Sequence, residues 1–221
     1  MLRRRFLPLL VLAAIFAGNA AAAPKPAGEP ATVDALVAEV QKTYSGVNTV
    51  RANFTQTTRN QMSGAAEAQK GRLLMQRPRK LRIEIGTPVR SAVVSDGATM
   101  WIYAADVKQV IVQRELGGSS GVGVLLDDLG RLTELFTAEL RESPGPRPGH
   151  LVHLVPKQPA AYKSIDLSVG KARYLLQRLV ITDAMDGVTD MEFSGVLLNT
   201  PVTAAEFTFK APPGVQVIQG G

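Results

Sequence analysis

The chain has 221 residues, a formal net charge of +6, a mean hydropathy of +0.06 and no cysteine. Without cysteine there are no disulfide staples, no thiol nucleophile and no thiolate metal site. The charge is also too mild for a nucleic-acid-binding surface: three of the 25 basic residues lie in the first five positions, and 19 acids oppose the rest.

Those first positions open a targeting pattern. Arg3, Arg4 and Arg5 form a positive start, Phe6 to Ala17 an apolar stretch of twelve residues, and Ala20, Ala21 and Ala22 a small-residue cleavage pattern. A membrane-spanning helix needs about 20 apolar residues, so the layout is that of a secretory signal peptide over residues 1–22. A mature chain starting near Ala23 carries 22 bases against 19 acids. It is expected to be a soluble, periplasmic monomer, with no cysteine to carry a lipid anchor. Residues 23–31, containing "PKPAGEP", read as a tether, and residues 32–221 as one domain.

In "TVDALVAEVQKTYSG", Val33, Leu36, Val37, Val40 and Tyr44 fall at helical spacing, Thr32 can cap the start and Gly46 can end it. From Val50 to Gln113 the period changes to two, through "VRANFTQTT", "GRLLMQ", "KLRIEIG", "SAVVS", "TMWIYA" and "KQVIVQ". Gly, Pro and Asp-Gly breaks separate them, "SDGA" at Ser95–Ala98 being the strongest hairpin signal. After residue 145 the pattern returns in "HLVHLVP", "SIDLSV", "LLQRLVIT", "DMEFSGVLLN" and "AEFTFK". About eleven short strands, all antiparallel, behind one helix predict a mainly β protein: a strongly bent sheet or barrel. Glu115–Leu140 is different. It begins as a glycine/serine segment and continues with Leu125, Leu126, Leu129, Leu132, Leu135, Phe136 and Leu140 at the spacing of short amphipathic helices.

No constellation reads as an enzyme. His150 and His153 are three apart in a strand and so point to opposite faces. Asp127 and Asp128 diverge if helical, no histidine stands beside a candidate serine nucleophile, and no Gly-rich phosphate loop follows a strand. No cofactor and no metal are expected. In "GRLLMQRPRKLRIEI" (Gly71–Ile85), Leu81, Ile83 and Ile85 point one way and Arg82 and Glu84 the other, while Arg72, Arg79, Lys80 and Arg82 read as a solvated face. Arg77 stands immediately before Pro78, which restricts its backbone to extended conformations.

The chain resembles the periplasmic outer-membrane lipoprotein carrier family, LolA. The resemblance is carried by "FTQ" at Phe54–Gln56, "G-x-L-x-x-x-RP" at Gly71–Pro78, "VVSDGATMWIYAADVKQV" at Val93–Val110, Leu125–Leu126, "LVP" at Leu154–Pro156 and "FTFKAPPGVQVI" at Phe207–Ile218. It implies an incomplete, strongly bent antiparallel barrel closed by a lid of short helices over an apolar cavity. The function it implies is sheltering the acyl chains of lipoproteins between an inner-membrane lipoprotein-releasing ABC transporter and an outer-membrane acceptor of the LolB kind. Phe54, Leu74, Leu81, Ile83, Ile85 and Trp101 are expected in the cavity lining, with Leu125 and Leu126 in a lid over Gly121–Leu140. Arg77 is expected to latch that lid. Acylated lipoproteins are the implied cargo. A carrier or sensor of another lipid, and more remotely a secreted hydrolase on a β scaffold, are the competing readings.

Overall fold

Alternating apolar and polar residues make most of this chain strand, and the pairing of those strands determines which side chains share a face. The computed structural model describes residues 30, 32–59, 66–114, 128–142 and 149–220. A helix, α1 (Val33–Ser45), comes first. Ala35 N–H donates to the Thr32 hydroxyl at 3.2 Å, and Asp34 and Lys42 sit at the ends whose dipole they complement. Leu36, Val37, Val40 and Tyr44 are buried on one stripe.

Twelve strands follow among the described residues: β1 (Thr49–Arg59), β2 (Ala66–Gln76), β3 (Lys80–Ile85), β4 (Ser91–Asp96), β5 (Met100–Ala104) and β6 (Gln109–Gln113), then β7 (Phe136–Arg141), β8 (Gly149–Pro156), β9 (Tyr162–Gly170), β10 (Leu176–Asp183), β11 (Val188–Leu198) and β12 (Gln216–Gln219). They form one sheet in the order β12-β6-β5-β4-β3-β2-β1-β11-β10-β9-β8-β7. Its two end strands do not pair with each other, so it is an open, curled sheet: an incomplete barrel. The curl can be inferred from the core. Side chains of α1, β1, β2 and β7–β11 meet in one cluster. Those seven adjacent strands would span roughly 29 Å if flat, at about 4.8 Å per strand, whereas a helix with side chains is about 10–12 Å across. The sheet must bend around α1. We call the α1 side the inner face.

Three expectations are corrected. The apolar positions Leu132, Phe136 and Leu140 do not extend a helix: α2 covers only Leu132–Leu135, and the chain enters β7 at Phe136. A spacing of four satisfies both a helical stripe and a strand face, and pairing of Phe136–Arg141 with β8 decides it. "AEFTFK" is not a strand. Ala204–Phe207 forms a single 3-10 turn with a capping box between Thr203 and Glu206. Finally, β12 runs parallel to β6, with Ile218 opposite Ile111. The proposed lid overlaps β7 at its C-terminal end, and Leu125 and Leu126 lie outside the described residues.

Residues 200–213 cross the outer face of β3–β5 and give the sheet a second, smaller core. Leu74, Ala92, Val94, Val110, Val112 and Phe207 are buried there, apart from the inner cluster. Arg82 Nη1 donates to the carbonyls of Glu206 and Thr208 at 3.1 Å each, Phe209 packs on Tyr103 with ring centroids 5.5 Å apart, and Lys80 stands over Phe207.

Candidate functional site

Directly paired residues of neighbouring strands lie on the same face, so the register traces an apolar row across the inner surface. Ala52 is opposite Leu73, Leu73 opposite Ile83, Ile83 opposite Val93, Val93 opposite Ile102, Ile102 opposite Ile111, and Ile111 opposite Ile218. Exposure grows along the row, from 1% at Leu73 to 37% at Ile111. The α1 end is filled; the β5–β6 end offers apolar surface that the described residues leave partly uncovered. Leu81 and Ile85 flank Ile83 on the same strand face and, like it, pack partly buried against the inner cluster.

Phe54 belongs to this face. Its ring meets Phe193 at 6.2 Å and lies over Gly71, its cross-strand partner. A Cβ on Gly71 would stand 2.2 Å from Phe54 Cζ and 2.6 Å from the Glu84 carbonyl oxygen, so only glycine fits beneath the ring. The structure thus brings Phe54, Leu81, Ile83 and Ile85 together. It does not bring Leu74 and Trp101 with them. Leu74 is paired with Arg82, and Trp101 with Val94 and Val112, all on the outer face under the C-terminal segment. The strands "GRLLMQ" and "TMWIYA" carry apolar residues of both parities, so alternation alone cannot choose between Leu73 and Leu74 or between Trp101 and Ile102. Leu73, Val93, Ile102 and Ile111, which sequence reasoning missed, could have been found only by fixing the register to Phe54 and Gly71.

Arg77 lies at the end of β2, where its Nη1 donates to the Tyr44 carbonyl in the last turn of α1 at 2.8 Å. A Cβ on Gly130 would be 3.9 Å from Arg77 Nη2, so the guanidinium also reaches the approach to α2. Tyr44 is itself fixed: its phenolic oxygen accepts from Leu176 N–H at 2.9 Å. Burial raises its pKa above the ordinary phenol value, and the Leu176 hydrogen bond opposes that rise. Gln41 reaches over to accept from Thr133 N–H at 2.8 Å, a second tie between α1 and α2.

The histidines diverge. His150 stacks on Tyr174, whereas His153 Nδ1 is 2.6 Å from Asp166 Oδ1. Among the described residues no group of three or more His, Cys, Asp or Glu side chains could hold a metal ion, and no helix is long and apolar enough to cross a membrane.

The described residues thus form a curled, open sheet whose apolar inner face is filled at one end by a helix and left partly uncovered at the other. The family described as outer membrane lipoprotein carrier protein LolA matches residues 45–210. The outer-membrane lipoprotein carrier protein of Chromobacterium violaceum is 33% identical over 220 residues, covering 96% of this chain and 97% of that protein. Its counterpart in Hahella chejuensis is 29% identical over 219 residues, covering 97% and 98%. The crystal structure of a conserved protein from Thermus thermophilus is similar with a TM-score of 0.51 at 16% identity, covering 85% of this chain and 98% of that one. The chain belongs to the LolA family of outer-membrane lipoprotein carriers.

Proposed function

We propose that this protein is a periplasmic carrier that shelters the acyl chains of lipoproteins against its inner face and conveys them from the inner to the outer membrane. The apolar row that runs from buried Leu73 to half-exposed Ile111 supports this most directly. Each methylene removed from water contributes about 0.8 kcal/mol. A sixteen-carbon chain seated along such a row therefore gains on the order of 10 kcal/mol before the costs of ordering it. Binding of that kind needs an apolar wall and a movable cover, and no covalent step. Phe54, Leu81, Ile83 and Ile85 form part of the wall in this reading; family membership supports lipoprotein as the cargo class, and an inner-membrane ABC transporter that loads it and an outer-membrane acceptor that receives it complete the proposal.

Arg77 is the proposed latch. Its hydrogen bond to a terminal carbonyl of α1 is charge-assisted; such bonds contribute about 1.5–3 kcal/mol, enough to bias a closed empty state yet small beside the burial of a chain. Arg77→Leu is then expected to accept acylated lipoprotein and to release it poorly to an acceptor membrane, whereas Arg79→Leu, on the exposed turn beside it, transfers normally. Transfer followed with purified lipoprotein-loaded carrier and acceptor vesicles tests this. Equal rates for wild type and Arg77→Leu would remove the latch, and failure of both proteins to take up lipoprotein would remove the carrier reading itself.

A further inference from the structure

The inner face is not the molecule's only concavity. A cleft of about 710 Å³ opens on the outer face, between β1 and β2, the end of β11, and the C-terminal segment around Glu206–Lys210. That volume is within the range of about 300–1,000 Å³ typical of small-ligand sites. Three features distinguish it from an ordinary surface groove. The first is the floor, where Leu74 is buried while Leu197, next to the end of β11, is 52% exposed; Phe209 closes the opposite wall.

The second is charge. Arg51, Arg72, Arg82 and Lys210 line the cleft against Glu84 and Glu206, leaving two positive charges in excess. Arg51 is paired with Glu206 at 2.9 Å, and Arg72 and Arg82 share Glu84 at 2.9 and 2.7 Å. Lys210 has no acidic partner among the described residues. Arg72 uses one of its five donors on Glu84 and keeps 73% of its side chain in solvent.

The third is backbone geometry. The ladder between β1 and β11 slips between Arg51 and Asn53, where Gly195 takes φ +60°, so a bulge bends β11 beside the cleft.

From these features we infer that the outer cleft is a second binding site, for a small single-chain amphiphile with a phosphate head. The head faces Lys210 and the free donors of Arg72; the chain lies on Leu74, Leu197 and Phe209. A phosphomonoester carries a charge of about −1.5 to −2 at neutral pH, which matches the excess of two. This site lies on the opposite side of the sheet from the proposed acyl chamber and does not depend on that reading.

The test uses the mature full-length protein and dodecyl phosphate, with binding measured calorimetrically and mapped by amide NMR shifts. Inorganic phosphate and neutral dodecyl maltoside serve as comparison probes. Lys210→Glu is an exposed change in an irregular segment and should keep the fold; it is expected to weaken dodecyl phosphate at least tenfold and to leave the maltoside unaffected. Because a dodecyl chain can also enter the inner chamber, the cleft is read by its own amide shifts: Ile111→Glu, which charges the inner row, should leave the dodecyl phosphate titration at the cleft amides unchanged. Shifts should cluster at Asn53, Gly195, Thr208 and Lys210. Cleft amide shifts lost in Ile111→Glu and kept in Lys210→Glu would place the ligand in the inner chamber and overturn the proposal. Equal affinity for inorganic phosphate would also overturn it, by reducing the cleft to a simple anion site, as would the absence of any binding.

Discussion

Gly71→Ala should be among the most damaging single-methyl additions to this protein. The added Cβ would fall 2.2 Å from Phe54 Cζ and 2.6 Å from the Glu84 carbonyl oxygen. Neither neighbour yields easily. Phe54 is 3% exposed and wedged against Phe193, and the Glu84 carbonyl belongs to the backbone of β3, paired there with β2. Overpacking of this kind costs about 1–3 kcal/mol, and the backbone contact argues for the upper end. In a domain of this size, 1 kcal/mol moves Tm by about 2–4 °C, so a loss of roughly 6–12 °C is expected. Phe54→Leu removes the ring atoms that clash, so Gly71→Ala should cost about 1 kcal/mol less in the Phe54→Leu background. Chemical denaturation of wild type, both single variants and the double variant measures this coupling. Additive effects would show that the Phe54 ring does not lie over Gly71, and the inner-face register built on that pair would fall with it.

Arg51→Ala removes a half-exposed ion pair to Glu206, of the sort contributing about 0.2–1 kcal/mol; it should lower Tm by no more than about 4 °C while speeding amide exchange selectively over residues 203–210. The Glu206 carboxyl is held below the usual carboxylate range by the Thr203 N–H and then by Arg51. Its stabilisation of the C-terminal segment is therefore complete above about pH 4.3, the unfolded value, and is lost as pH falls through the lower folded value. Trp101 fluorescence, on the face beneath that segment, should change over that acid range in wild type and not in Glu206→Gln. Because Trp101 lies on the outer face, its emission should respond little to acyl-chain loading of the inner face, and a large response would contradict the register of β5.

Elements whose pattern has a single solution were legible in the sequence. Thr32, the stripe ending at Tyr44 and Gly46 allow only a helix, and "KLRIEI" has one apolar parity, so spacing alone puts Leu81, Ile83 and Ile85 on one face. Legibility ends where a strand is covered on both sides. Leu73 and Leu74 are both buried, as are groups facing each way on β4, because residues 200–213 cover the outer surface. That cover is itself hard to read, since Phe207 and Phe209 alternate like a strand but are held by Arg82 donating to backbone carbonyls. Likewise Arg82 reads as part of a solvated face in sequence, and the Glu206 and Thr208 carbonyls that hold it are more than a hundred residues away. Parallel pairing of β12 left no local trace.

Whether acyl chains occupy the inner face can be decided by site-specific photocrosslinking in cells. Ile111 and Val217 lie on adjacent strands, are 37% and 52% exposed, and point to opposite faces of the sheet, Val217 being paired with Val110 on the outer side. With a photoreactive amino acid at each position in turn, crosslinks to acylated lipoprotein are expected from position 111 and none above background from position 217. Crosslinks from 217 alone, or equally from both, would contradict it.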